Sequence, residues 1–140
     1  MDELHEQLSE RPVAAIERDE AATIVRLAGE LDLYNAAELR TALLGVCAEA
    51  PTRLVVDLGS VAFVDSTALG VLIEARGHMA DQSAFLLAAP GVETLRALVI
   101  SGIDRLLRVH PSVEAARRVA RMRTFFGVCS RSTNSTSWVR

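Results

Sequence analysis

The stretch "LVVDLGSVAFVDSTALGVLIEA", residues 54–75, decides the fold, because its almost wholly apolar run halts at Asp65-Ser66-Thr67 and then resumes. Its beginning, "RLVVDL" over 53–58, has the continuous apolar character of a strand that helices cover on both faces. A short apolar loop is expected next, and then a helix over about 66–80. The inward face of this helix is predicted to carry Leu69, Leu72, Ile73 and Met79.

The polar interruption has the pattern of a helix N-terminus. With Asp65 as the N-cap, Val64 and Leu69 occupy the two positions of a hydrophobic staple. Ser66 and Thr67 then lie in the exposed first turn, where backbone N–H groups have no partner within the helix. We expect Val61, Phe63 and Val64 to hold the preceding loop against the core. Two interpretations remain open: a plain helix cap, or a serine presented for modification.

Outward from this stretch, strands and helices alternate. "VAAIERD" (13–19) and "TIVRLAG" (23–29) predict an antiparallel strand pair joined by a polar turn. The alternation predicts one α/β domain, in which a mixed sheet of four to five strands packs against about four helices. The other predicted elements are a strand over 84–89, a helix over about 91–101 that ends before Gly102, a strand over 105–109 and a last helix over about 112–122.

The segment after the second strand predicts a turn at Gly29-Glu30-Leu31-Asp32 and then a helix that Pro51 ends. Asn35 is a suitable N-cap for this helix, and Glu38 is placed to complete a capping box. One helical face carries Leu39, Leu43, Val46, Cys47 and Ala50. Cys47 is therefore interpreted as a small core residue.

Composition limits the class of protein. A chain of 140 residues suits one domain, and 50% hydrophobic with only 4% aromatic residues predicts a core of aliphatic side chains. No apolar run reaches the length of a membrane span. The polar leader over 1–11 is not a signal peptide, so the chain is expected in the cytoplasm with Cys47 and Cys129 reduced.

Charge is divided unevenly along the chain. Residues up to Glu114 hold all 18 acids and 9 arginines, whereas the remainder holds 6 arginines and no acid. These later arginines are spread along a helix and an Arg/Ser/Thr-rich tail over 123–140, with few aromatic residues among them. A solvated helix face and a flexible tail are therefore preferred to direct nucleic-acid binding.

Enzyme motifs are missing from the sequence. The context of Ser66 is Val-Asp-Ser-Thr-Ala, which lacks the Gly-x-Ser-x-Gly elbow of a serine hydrolase. His5, His78 and His110 are scattered, which does not suit a metal site. No glycine-rich phosphate loop is present, so neither a cofactor nor a nucleotide-binding regulator is predicted.

Three segments together resemble bacterial anti-sigma factor antagonists, the STAS-domain family. Residues 54–75 are similar to the family's phosphorylatable segment, in which an apolar strand leads to Asp-Ser-Ser/Thr-Gly-Leu-Gly. "LAGELDLYNAAELRTAL" is similar to its Gly-Glu-Leu-Asp turn and following helix, and "VETLRALVISGIDRLLRVHPSVEAA" to its closing helix–strand–helix. The resemblance covers about residues 12–120, and a STAS domain over 12–122 is expected. Ala68 departs from the family's glycine, and alanine favours the helix by about 1 kcal/mol.

The resemblance implies a regulator that switches between partners. Such an antagonist binds an anti-sigma factor with serine kinase activity and frees the sigma factor. Phosphorylation breaks the complex, and a serine phosphatase reverses it. By position, Ser66 is the phosphorylation site, and the partner-binding residues are Asp32, Asp65, Ser66 and Thr67. The alternative is a STAS scaffold subunit of a stress-sensing or transporter complex that uses the same surface without switching.

Overall fold

The computed structural model describes residues 11–118, which form a five-stranded mixed sheet. The two N-terminal strands are antiparallel, and every later strand is parallel to the second. The predicted α/β architecture is therefore confirmed. In spatial order the strands are β1 (Val13–Arg18), β2 (Thr23–Leu31), β3 (Leu54–Val64), β4 (Phe85–Ala88) and β5 (Arg108–His110).

Helices connect the parallel strands, as the alternating pattern predicts. The connections are α1 (Ala36–Ala48) from β2 to β3, α2 (Ser66–Gly77) and a 3-10 turn (Gln82–Ala84) from β3 to β4, and α3 (Val92–Ser101) with α4 (Ile103–Leu106) from β4 to β5. Residues 113–118 are also helical. No helix within 11–118 is long and apolar enough to cross a membrane. The predicted leader before Arg11, the last helix beyond 118 and the 123–140 tail lie outside the described residues.

The main core lies on one face of the sheet, where aliphatic side chains from β2, β3 and β4 meet α1, α2 and α3. Leu39, Leu43, Val46 and Cys47 of α1 are all buried there, as their helical spacing predicts. A smaller cluster, which includes Val55, Leu86 and Ala116, lies on the other face. The start of the 113–118 helix therefore covers the second face, and the sheet is sandwiched between two helical layers.

β3 is longer than its sequence pattern predicts. The expected strand ends at Leu58 and is followed by a loop, but β3 continues without a break to Val64. Its second half pairs with the end of β2, where Gly29 has a positive φ of 79° and the register shifts. Gly29, Glu30 and Leu31 consequently belong to β2 rather than to a turn, which begins at Asp32. β3 therefore ends directly before Asp65.

Several local predictions are wrong for identifiable reasons. Ala50 is exposed and left-handed, with φ 55°, because α1 ends at Ala48 before Pro51 is reached. Ile73 is 37% exposed, because α2 presents Leu69, Leu72 and Ala75 to the core instead. Residues 105–106 belong to α4, and β5 begins at Arg108. Gly102 ends α3 in the left-handed conformation, with φ 83°, as predicted.

Candidate functional site

The carboxyl ends of β2 and β3 lie side by side and bring the two predicted site segments together. Leu31 of β2 is the register partner of Val64 of β3, so Asp32 and Asp65 each follow directly after paired residues. The Asp65 amide also donates a hydrogen bond of 3.0 Å to the Leu31 carbonyl. The β2–α1 loop and the N-terminus of α2 therefore form one continuous surface at this edge of the sheet.

Asp65 is the N-cap of α2, as predicted, and it also holds the neighbouring loop. Its Oδ1 atom accepts a hydrogen bond from the Ala68 amide at 3.0 Å, which is the capping bond. Its Oδ2 atom accepts from the Leu33 amide at 3.1 Å. One carboxylate thus links the start of α2 to the loop after β2. Val64 and Leu69, the predicted staple positions, are both buried in the main core.

Ser66 and Thr67 occupy the first two helical positions, and both are exposed. Neither hydroxyl is needed for the cap, because Asp65 provides it. The Ser66 hydroxyl has no hydrogen-bond partner among residues 11–118. The helix that carries it is anchored by Ala68 and Leu69, two and three residues further on, which are buried. This geometry offers a free hydroxyl on a rigid support, at a helix end that favours negative charge.

The loop after β2 is organised by Asp32 and Asn35. The Asp32 carboxylate accepts from the Tyr34 amide at 3.0 Å, so Asp32 is a turn-forming residue. Asn35 is 8% exposed, and its side chain accepts from the Asp32 amide at 2.9 Å and donates to the Glu30 carbonyl at 2.8 Å. Asn35 occupies the N-cap position of α1, as predicted, but its side chain makes no capping bond to the helix. The Asn35 amide donates to the Asp32 carbonyl at 3.3 Å, and the capping box with Glu38 stays a prediction.

Two exposed apolar side chains project from this loop and were missed by the sequence analysis. Leu33 is 65% exposed and Tyr34 is 88% exposed, although the backbone beneath them is held by hydrogen bonds. The available signal was the placement of two large apolar residues between Asp32 and Asn35, within a turn. Loops lie at the surface, so apolar residues in a loop are candidates for contact with a partner.

Phe63 opens a groove on the other side of β3. The prediction that Phe63 packs against the core is wrong: the side chain is 50% exposed. The register of β3 against β2 shifts between Val61 and Phe63, and this irregularity turns Phe63 away from the buried face that Val61 occupies. The neighbouring Val61 and Val64 are buried, as predicted. The groove has a volume of about 190 Å³ and is lined by Phe63, Val64, Glu93, Arg96, Ala97 and Ile100.

Other chemically reactive side chains lie away from this edge or are inert. Cys47 is buried and unpaired, its thiol donates to the Ala75 carbonyl, and burial raises its pKa, which disfavours the reactive thiolate. His78 is exposed at the end of α2, and His110 is buried at the end of β5. Within 11–118, no three His, Cys, Asp or Glu side chains are grouped so as to hold a metal ion.

Comparisons with known proteins agree with this geometry. The STAS domain model matches residues 13–116. The anti-sigma-F factor antagonist RsfB of Mycobacterium tuberculosis is 32% identical over 93 residues, which are 66% of this chain and 76% of RsfB.

Solved structures show the same fold. The crystal structure of an anti-sigma factor antagonist from Mycobacterium paratuberculosis has a TM-score of 0.72 at 28% identity, covering 76% of this chain and 92% of that one. The STAS domain of a SulP transporter from Vibrio cholerae has a TM-score of 0.59 at 24% identity, covering 77% and 86%. At that identity the likeness concerns the fold alone.

Proposed function

The chain belongs to the STAS domain family, and from this membership we propose that it is an anti-sigma factor antagonist switched off by phosphorylation of Ser66. Two relatives, at 32% and 28% identity, carry the name of anti-sigma factor antagonist. The expected binding partner is an anti-sigma factor with serine kinase activity. The unphosphorylated chain would bind that protein and release its sigma factor in the cytoplasm.

The observation that carries the proposal is the exposed Ser66 hydroxyl beside a cap that does not use it. A serine at the N-cap would be explained by capping alone. Here Asp65 makes the capping bond, and Ser66 has no hydrogen-bond partner within 11–118. A phosphoacceptor hydroxyl must be accessible to the γ-phosphate of ATP, and Ser66 is exposed and not held by the cap.

The chemical step belongs to the kinase rather than to this chain. The Ser66 oxygen attacks the γ-phosphorus of ATP, the bond to the β-phosphate oxygen breaks, and ADP leaves. The serine proton passes to a base of the kinase. This chain supplies the position of the hydroxyl, through the cap at Asp65 and the buried Ala68 and Leu69 beneath it. A serine phosphatase would hydrolyse the phosphoester and restore the active antagonist.

The phosphorylated chain is expected to keep its fold. A phosphate on Ser66 adds a charge of about −1.5 to −2, and it lies at a helix N-terminus, which favours anions. The phosphate therefore acts on the complex rather than on the free domain. Asp32, Asp65 and Thr67 would contact the partner around Ser66.

The proposal is tested by incubating the chain with ATP and candidate anti-sigma kinases, followed by mass spectrometry of the 54–75 peptide. One phosphate is expected on Ser66. The matched controls are Ser66→Ala, which should remain unmodified, and Thr67→Val, which should still carry one phosphate, on Ser66. If the antagonist binds its kinase tightly and Ser66 is never modified, the domain is a static scaffold instead.

A further inference from the structure

The tip of the β2–α1 loop exposes two large apolar side chains on a backbone that is held by hydrogen bonds. Tyr34 is 88% exposed and Leu33 is 65% exposed. Leaving such side chains in water forgoes the stabilisation that burial of a large apolar side chain provides. The domain does not use them for its own stability, so they are available to another molecule.

The backbone of this loop is held on both sides. The Leu33 amide donates to Asp65 at 3.1 Å, and the Tyr34 amide donates to Asp32 at 3.0 Å. The buried Asn35 side chain holds the Asp32 amide and the Glu30 carbonyl. A loop that is already ordered loses little conformational entropy on binding, which favours affinity.

The position of the pair determines which molecule covers it. Leu33 is hydrogen-bonded to Asp65, whose neighbour in the chain is Ser66. A standard interface buries about 800 Å² on each partner, which corresponds to a patch of roughly 16 Å radius. A kinase patch of this size that is centred on Ser66 would reach Leu33 and Tyr34 as well.

We propose that Leu33 and Tyr34 form the apolar anchor by which the anti-sigma kinase recognises this chain. The inference rests on the proposed function and deepens it, because it assigns the binding energy to two residues beside the phosphorylation site. The partner should offer an apolar pocket for the leucine and the tyrosine ring, with a polar group at its edge for the phenolic hydroxyl. Tyrosine is among the residue types that most often dominate interface energies.

The test measures the affinity of the cognate anti-sigma kinase for the full chain by calorimetry. Tyr34→Ala should weaken binding about 30-fold or more and Leu33→Ala about tenfold, as expected for central interface residues. The matched control is Leu106→Ala. Leu106 is 45% exposed and directly precedes Leu107 and β5, at the opposite end of the parallel strands from Ser66. Its substitution should leave the affinity within threefold of the wild type.

The outcomes separate this inference from the proposed function. If the wild type binds the kinase and both loop variants bind within threefold of it, the anchor is overturned and the antagonist function stands. The anchor is also overturned, and the antagonist function stands, if Tyr34→Ala leaves kinase binding unchanged and only breaks a dimer of this chain, which sedimentation would measure. If the wild type binds no anti-sigma factor, the function fails and the anchor with it. Unchanged melting temperatures would show that alanine acts on the interface, since both side chains are exposed.

Discussion

At the scale of single residues, Asp65 joins two parts of the site that are distant in sequence. One carboxylate oxygen holds the Ala68 amide of α2, and the other holds the Leu33 amide of the β2–α1 loop. Ser66 depends on this arrangement for its position but contributes no hydrogen bond to it. Removal of each side chain should therefore have a very different effect on stability.

Asp65→Ala is expected to lower the free energy of unfolding by about 1–2 kcal/mol, because it removes a helix cap and a second hydrogen bond. Ser66→Ala should change the free energy of unfolding by less than about 0.5 kcal/mol. Ser66 is exposed and makes no capping bond, so its hydroxyl does not contribute to the stability of the helix. Urea denaturation of both variants and the wild type measures the difference. Equal midpoints for all three proteins would show that Asp65 is not the working cap.

Of the two hydrogen bonds that Asp65 accepts, only the capping bond could be predicted from the sequence. The cap follows from local chemistry, since an acid before an apolar helix has one obvious backbone target. The bond to Leu33 joins residues 32 positions apart in the chain and follows only from the pairing of Leu31 with Val64. The exposure of Leu33 and Tyr34 was missed for the same reason, because the loop is held against Asp65. The role of Asn35 was missed for a local reason: its side chain bonds backward to Glu30 and Asp32 rather than forward to the helix.

At the scale of elements, the length of β3 determines where Asp65 and Ser66 lie. Apolar residues with turn residues such as Gly59-Ser60 among them predict a loop, but pairing with the extended β2 overrides that local preference. The register shift between the ends of β2 and β3 then turns Phe63 outward, where it lines the groove beside α3. The type and order of the elements were predictable from periodicity, whereas their ends were set by tertiary pairing.

The end of β5 makes the stability of the domain sensitive to acid. His110 is 5% exposed and lies beside Ala88 of β4, and its Nε2 atom has no hydrogen-bond partner among residues 11–118. Burial lowers the pKa of His110 below its ordinary value, and the positive charge of Arg108 lowers it further. The unfolded chain therefore binds a proton at a higher pH than the folded chain does.

The stabilising effect of a neutral His110 is thus present above about pH 6.5 and is lost as the pH falls towards the lowered pKa. We expect the urea midpoint of the wild type to fall more steeply between pH 7 and pH 5 than that of His110→Gln. The carboxylates of Glu17, Glu49 and Glu74, whose pKa values are lowered by arginine partners, are shared by both proteins and cancel in the comparison. If the urea midpoints of the two proteins fall equally between pH 7 and pH 5, this account of His110 is contradicted.

At the scale of the whole molecule, magnitude constrains how phosphorylation can act. Driving a complex from about 99:1 to 1:99 requires roughly 5.5 kcal/mol. A like-charge contact at about 4 Å supplies about 1 kcal/mol in water and about 4 kcal/mol near a protein surface. Repulsion of an exposed phosphate is too weak alone, so the partner must cover Ser66 and the phosphate must also suffer steric clash and loss of hydration.

The central claim is tested most directly by the affinity of the cognate anti-sigma kinase for the wild type and for the chain phosphorylated at Ser66, measured by calorimetry. The account predicts tight binding of the unmodified chain and loss of most of that affinity in the phosphoprotein. Ser66→Asp, smaller and less charged than phosphoserine, should weaken binding only in part, and Ser66→Ala should bind and resist release by ATP. Binding of phosphoprotein and wild type within threefold of each other would contradict the switch and leave a static scaffold in its place.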